Sequence, residues 1–236
     1  MKGRKNMRLI FVRHGEPNYE LDCLTEEGRR QAAAAAQRLK NESITEIYSS
    51  PQGRAFQTAQ YTADLLGLPV QILEYMHEVS WGGPGIPVQG HPWTLGDMLL
   101  TESSFDFTSQ SWREHPYFRE NILLEYEKKI SEEIDAFLQQ KGFVHDGSRY
   151  LCTTEENRTI ALFSHGGSGG CALAHLLSLP LPYVLSVMPY DFTSIIILNF
   201  PEQMGAYIHP RIELFNDTAH IQAKTEAPVI QKESGK

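Results

Sequence analysis

Two apolar runs each end in a histidine set beside glycine: FVRHGEP at residues 11–17 and IALFSHGGSGG at residues 160–170. Glycine next to an imidazole lets backbone N–H groups approach a ligand closely. Arg13 adds a fixed positive charge and a planar donor fork suited to phosphate. Arg54 falls in the first turns of a helix expected to begin at Pro51. A helix N-terminus offers free N–H groups and partial positive charge, which favour an anion. Two arginines, two histidines and a helix start make a small oxyanion cage in a chain of formal charge −8.

Such a cage suits phosphoryl transfer. Neighbouring guanidinium groups disfavour protonation of an imidazole, so His14 is expected to stay neutral near pH 7 and to attack phosphorus. Arg13, Arg54 and His165 would stabilise the equatorial oxygens of the transition state. A leaving alkoxide needs a proton, for which a carboxylic acid is the usual source. Glu78, in MHEVSWG, is the best candidate because it closes an apolar segment just before a Gly/Pro-rich stretch. Glu16, Glu74 and Asp191 are its rivals. The pair Gly166-Gly167 serves either a ligand or only a tight strand-to-helix turn. The chain has no Walker-type loop, HExxH or CxxC pair, so no metal or other cofactor is expected for this chemistry.

The elements that must position these groups alternate. Residues 8–12 read as a buried strand. Residues 25–40 read as a helix with Thr25 as N-cap and acids in its first turn. A short strand at 44–50 leads to a helix through residue 67, with Ser50 as cap, Pro51 at the first position and Gly67 past the end. Residues 69–79 are extended. A long helix is expected over 117–141, where Ile122, Tyr126, Ile130, Ile134, Phe137 and Leu138 recur at helical spacing. Residues 149–163 predict two strands around a turn at Glu155-Glu156-Asn157, followed by a helix at 168–178. Residues 192–200 and 205–215 predict a strand pair. This alternation implies an α/β fold: a three-layer sandwich whose mostly parallel central sheet carries helices on both faces. Ligands in such folds sit beyond the carboxyl ends of the strands, where both histidine stretches fall.

Length and composition bound the rest. The 236 residues suit one domain, expected over 1–216, with a polar tail at 217–236. Residues 82–116 predict an ordered, lid-like insertion dense in glycine and proline; Trp93, Phe105, Phe107 and Trp112 fit core, a homodimer contact or a substrate pocket equally. The acidic charge argues against nucleic acid and anionic membranes as partners. No apolar run approaches a membrane span, and no secretory signal opens the chain. Three cysteines fit a reducing compartment, and the cytoplasm is the expected location.

RHGEP after the first strand, SSPQGRAFQTA at the second strand–helix junction and SHGG after a late strand together resemble the histidine phosphatase superfamily, the phosphoglycerate mutase-like group. The resemblance covers about residues 7–200 and is weakest over 83–145. It implies a phosphohistidine mechanism in which His14 matches the nucleophile, and Arg13, Arg54 and His165 match phosphate-pocket residues. MHEVSWG resembles the family segment that carries the proton donor, which places Glu78 there. The sequence departs from the family at Pro17, where a small hydroxyl residue is common, and at Glu20, where asparagine is common; Asn18 is the substitute. Catalytic roles are thus expected at His14, Glu78 and His165. Phosphate contacts are expected at Arg13, His14, Arg54, His165, Asn18 and Gly166. The expected partners are a small phosphorylated metabolite and inorganic phosphate. The expected activity is phosphomonoester hydrolysis, with phosphoglycerate mutase-type transfer or non-catalytic binding of a phospholigand as alternatives.

Overall fold

A computed structural model describes residues 6–84, 86, 106 and 110–222. Its centre is a six-stranded sheet built from β1 (Asn6–Arg13), β4 (Glu46–Ser49), β5 (Val70–Ile72), β8 (Arg158–Ser164), β9 (Ile195–Pro201) and β11 (Arg211–Asp217), in the order β11-β9-β1-β8-β4-β5, while β2 (Pro17–Asn18) and β3 (Cys23–Leu24) form a separate small antiparallel pair. β1, β8, β4 and β5 are parallel neighbours; β9 runs against both β1 and β11. Five of the six strands therefore share one direction.

Side-chain alternation decides what covers each face. Met7, Leu9 and Phe11 of β1, Ile160 and Leu162 of β8, and Ile196, Leu198 and Phe200 of β9 enter one core. Ile10 and Val12, Ala161 and Phe163, and Ile195 and Ile197 enter the other. α1 (Glu26–Leu39) and α2 (Gly53–Leu66) cover the second face with Leu39, Ala59 and Ala63. The first face takes α3 (Leu123–Gln140), α4 (Gly166–Leu177) and α5 (Leu181–Val187), with Ile130, Ile134, Leu173 and Val184 packed inward. These layers make the expected three-layer sandwich.

Local chemistry shifts several boundaries. The helix expected from Pro51 begins at Gly53, with Gln52 as N-cap. Ser50 stays outside because its hydroxyl faces His165 at 2.7 Å and accepts from the Gln52 N–H at 3.2 Å. Residues 117–122, expected as helix, form turns. Asn121 Oδ1 accepts from the backbone N–H of Gly82 and of Leu123, offering that chain an alternative to helical bonding. The helix expected at 168–178 starts two residues earlier, directly after His165. Arg149–Cys152 (β7) does not pair across Glu155-Glu156-Asn157; it forms a hairpin with Phe143–Asp146 (β6) around Gly147-Ser148. Gly147 has φ +67 there, which a glycine adopts without strain. β7 also pairs with the two-residue strand β10 (Tyr207–Ile208).

The expected pairing of the last two segments holds for β9 and β11. The chain is still structured past residue 216. Asp217 receives Arg38 at 2.9 Å, and a short helical turn, Ala219–Gln222, carries His220 to within 3.1 Å of the Thr193 hydroxyl. Trp112 and Phe118 are buried core residues in edge contact with each other. Most of the expected lid, including Trp93, Phe105 and Phe107, lies outside the described residues, as does the tail beyond 222.

Phe163 fills the core between β8 and the α1–α2 layer. Phe163→Ala is expected to cost about 3–5 kcal/mol, read as a fall in urea midpoint at unchanged slope; a loss below about 1 kcal/mol would contradict this packing.

Candidate active site

Strand register assembles the site. β1 and β8 are parallel, with Arg13 opposite Ser164, so the next residues, His14 and His165, leave the sheet side by side. Their ring centroids are 5.1 Å apart, and both side chains are buried. β4 pairs Ser49 with Phe163 and so brings Ser50 level with Ser164, one residue before His165. The turn is tied down by main-chain bonds: His14 N–H donates to Ser164 O (3.0 Å), Ser50 N–H to Phe163 O (2.9 Å), and Thr193 N–H to Arg13 O (3.1 Å).

His14 Nδ1 lies 2.7 Å from Gly15 O. A carbonyl only accepts, so Nδ1 carries the proton and Nε2 keeps its lone pair. Burial pushes the imidazole pKa down to about 3, with Arg13 and Arg54 pushing the same way against the Gly15 bond and Asp22. His14 is therefore neutral at pH 7. His165 is driven further down, first by burial and then by His14, Arg54 and Arg13. Gly15 N–H donates to Thr58 Oγ1 (3.1 Å), and that hydroxyl donates to Arg54 O (2.8 Å), linking the His14 turn to α2. A side chain at residue 15 would meet Gly28 O at 2.6 Å, so the turn needs glycine to lie on α1.

Both guanidinium groups are held from one side. Arg13 Nη1 donates to Tyr190 O (2.6 Å), and the group sits 4.4 Å from the centre of the Phe192 ring. Arg54, 6 % exposed, pairs with Asp22 Oδ1 at 2.5 Å. The other Asp22 oxygen accepts from Gly53 N–H (2.6 Å) at the start of α2. Three buried nitrogens, Arg13 Nε, Arg54 Nε and His165 Nδ1, have no hydrogen-bond partner among the described residues. Buried donors are almost always satisfied, and these three belong to the residues expected to form the oxyanion cage.

Glu78 reaches the site from the segment after β5. Its Oε1 accepts from the N–H of Ser168 (3.0 Å) and Val79 (2.9 Å), and its Oε2 lies 3.4 Å from the Gly167 N–H. The carboxylate thus sits at the N-terminus of α4, two residues beyond His165. Gln52 joins it to the cage, because Gln52 Oε1 accepts from Glu78 N–H (2.6 Å) and lies 3.4 Å from Arg54 Nη2. The rival carboxylates are engaged or placed elsewhere. Glu16 accepts from the Thr25 hydroxyl (2.7 Å), Asp191 accepts from Asn216 (2.8 Å), and Glu74 is exposed.

The two glycines after His165 differ. A methyl group on Gly167 would strike Val79 at 2.3 Å and Glu78 Oε1 at 2.6 Å, whereas one on Gly166 would make ordinary contact with the Arg13 guanidinium. Gly166 thus sits against Arg13. Asn18 Oδ1 accepts from the N–H groups of Glu20 and Leu21 in its own loop. The carboxylate of Asp22, not the amide of Asn18, lies on Arg54. Sequence reasoning passed over Asp22, Gln52 and Thr58 and read Ser50 only as a helix cap. The one available signal was that SSPQGR places three more polar side chains, Ser49, Ser50 and Gln52, just before Arg54 at the strand–helix junction.

The sheet order and the histidine pair at its carboxyl edge define a phosphoglycerate mutase-like α/β protein. Residues 9–91 match the family model of the histidine phosphatase superfamily (branch 1). Among curated proteins it is 29% identical over 184 residues to the probable phosphoglycerate mutase GpmB of Yersinia pestis (strain Pestoides F), covering 74% of this chain and 76% of the relative. Among solved structures it is similar to a phosphoserine phosphatase from Entamoeba histolytica crystallised with 3-phosphoglyceric acid: 25% identity, TM-score 0.61, 91% of this chain and 99% of that one. A mycobacterial glucosyl-3-phosphoglycerate phosphatase shares the fold at 21% identity and TM-score 0.59, over 91% of this chain and 100% of that one. These likenesses support an enzyme of phosphatase or mutase type. No helix among the described residues is long and apolar enough to cross a membrane.

The lowered imidazole pKa values set a pH dependence of stability. The unfolded chain binds a proton on each histidine below its ordinary value of 6.5, while folded His14 refuses it down to about 3. Stability should therefore fall as pH drops below 6.5, by about 1.4 kcal/mol per pH unit for each such histidine once the unfolded chain is protonated. Urea melts between pH 7 and pH 5 should show a shallower fall in His14→Gln than in the parent; equal slopes would contradict a buried neutral His14. Gly167→Ala should displace the Glu78 carboxylate and lower turnover about tenfold or more, while Gly166→Ala leaves most activity. Equal effects of the two substitutions in a phosphatase assay would contradict the contact geometry.

Proposed function

We propose that the protein is a metal-independent phosphomonoesterase that hydrolyses a small phosphorylated metabolite through a phosphohistidine at His14. The observation that carries this reading is the set of three unpartnered buried nitrogens around a neutral imidazole whose Nε2 holds a free lone pair. A phosphoryl group brought to Nε2 would offer its equatorial oxygens to Arg13, Arg54 and His165.

In the first step the Nε2–P bond forms as the ester P–O bond breaks, and Glu78 gives the leaving oxygen its proton. In the second, Glu78 takes a proton from water, which attacks phosphorus and releases inorganic phosphate and His14. The charge needed by the transferring group comes from two guanidinium side chains, so the chemistry is complete without a Lewis acid. Support for Glu78 in both steps comes from Gln52, which accepts from its main-chain N–H, and from the N–H groups at the start of α4, which hold its carboxylate.

A mutase is the second reading, favoured by the similarity to the probable phosphoglycerate mutase. It would need further cations for a substrate bearing both phosphate and carboxylate. Arg113, one possible source of such a cation, pairs with Glu127 and lies over Trp112. The phosphatases among the structural neighbours favour hydrolysis.

A screen of phosphorylated metabolites should find phosphate release that resists chelators and is abolished in His14→Ala. Glu78→Gln should slow alkyl phosphates far more than p-nitrophenyl phosphate, whose leaving group hardly needs a proton. Equal losses on both would contradict Glu78 as proton donor. Interconversion of phosphoglycerates faster than phosphate release would favour the mutase, and tight phosphate binding with no turnover across the screen would favour a non-catalytic binder.

A further inference from the structure

On the other side of α4's length from the phosphate cage, three ligand-type side chains converge from three elements. Asp135 comes from α3, His145 from β6 and His175 from the last turn of α4. His145 Nδ1 is 2.8 Å from Asp135 Oδ2, and His175 Nε2 is 2.9 Å from Asp135 Oδ1. The two imidazole centroids are 4.9 Å apart. The Tyr150 hydroxyl donates to the same Asp135 Oδ1 at 3.2 Å. One ligand atom from each of the three residues falls within 4.8 Å of the other two, and among the described residues no second group of this kind occurs.

We propose that Asp135, His145 and His175 form a divalent transition-metal site of the Zn²⁺ class that clips α3 and β6 onto α4. Two imidazoles and one carboxylate are a donor set suited to such ions. Metal–ligand bonds of about 2.0–2.2 Å in tetrahedral geometry set the ligand atoms roughly 3.3–3.6 Å apart. The present contacts need to open by only about half an ångström as the ion replaces the two N–H donors. His145 and His175 also line a cavity of about 680 Å³, shared with Glu127, Ser131 and Glu132, which leaves room for water in a fourth position. Tyr150 already holds the carboxylate from behind, as an outer partner of a metal ligand does.

The site is remote from phosphoryl transfer and takes no part in it. His175 lies ten residues along α4 from His165, about 15 Å at helical rise. An ion there would fix the far end of the helix whose first turn holds Glu78. The three ligands are ten and thirty residues apart in sequence, outside any short metal-binding spacing, so only the fold unites them.

The full-length protein, stripped with EDTA and titrated calorimetrically with Zn²⁺ alone, should bind one equivalent with micromolar or tighter affinity and melt at a higher temperature. Asp135→Asn and His175→Ala should each weaken binding at least about tenfold, whereas His14→Ala and Cys23→Ser should leave it unchanged. Because a variant can fail by unfolding, the unmodified protein is also titrated with Co²⁺, where the intense d–d bands of a four-coordinate nitrogen–oxygen site are expected. Absence of saturable Zn²⁺ binding, weak octahedral Co²⁺ bands alone, or binding that disappears in His14→Ala but survives in His175→Ala would each overturn the proposal.

Discussion

The in-register parallel pairing of β1 with β8 is the constraint on which the rest of the structure depends. It forces His14 and His165 out of the same sheet edge with rings 5.1 Å apart in a buried setting. Two charged imidazoles could not share that space with two guanidinium groups. Both are consequently held neutral, and burial is the leading cause for each. The sheet therefore determines the protonation state of the proposed nucleophile as well as its position. A slip of β1 by one residue would reverse its side chains relative to those of β8, sending Phe11 to the wrong face. The same alternation that divides the two hydrophobic cores thus fixes the site.

Positive charge is concentrated there and held by partners outside the cage. Arg13 is anchored through the Tyr190 carbonyl and the Phe192 face, and Arg54 through Asp22. Each anchor leaves the Nε of its arginine unpartnered and buried. Asp22 has a double effect: it orients Arg54 and it pulls the His14 pKa upward against the arginines. Gln52 links Arg54 with the main chain of Glu78, so one amide oxygen faces both the guanidinium and the backbone N–H of the residue that carries the carboxylate. Preorganised charge of this kind requires little rearrangement when a phosphoryl group arrives.

Much of this is written in local sequence. The apolar runs at 8–12 and 160–164, the glycines that follow each histidine and the cap at Thr25 all act over a few residues, and their elements form as expected. What was not legible depends on distant partners. Ser50 reads as a helix cap until β4 pairs with β8 and sets its hydroxyl on His165. Asn18 stands two residues before the position where the family commonly has asparagine; its Oδ1 accepts from its own turn, and it is Asp22 that pairs with Arg54. The β6–β7 hairpin did carry a local signal, the Asp-Gly pair at 146–147, and was hidden by the longer apolar strand that follows it. Helix onset at 123 in place of 117 turns on one amide, Asn121, whose partner Gly82 lies 39 residues away.

The central claim is that phosphorus is attacked by His14 Nε2 before water. The stereochemical course at phosphorus tests it most directly, using a phosphomonoester made chiral with oxygen isotopes and the chain's own phosphatase reaction run in isotopic water. Two in-line displacements invert twice, so the account predicts net retention of configuration. Net inversion would show that water attacks the substrate in a single step, and the imidazole could not then be the nucleophile.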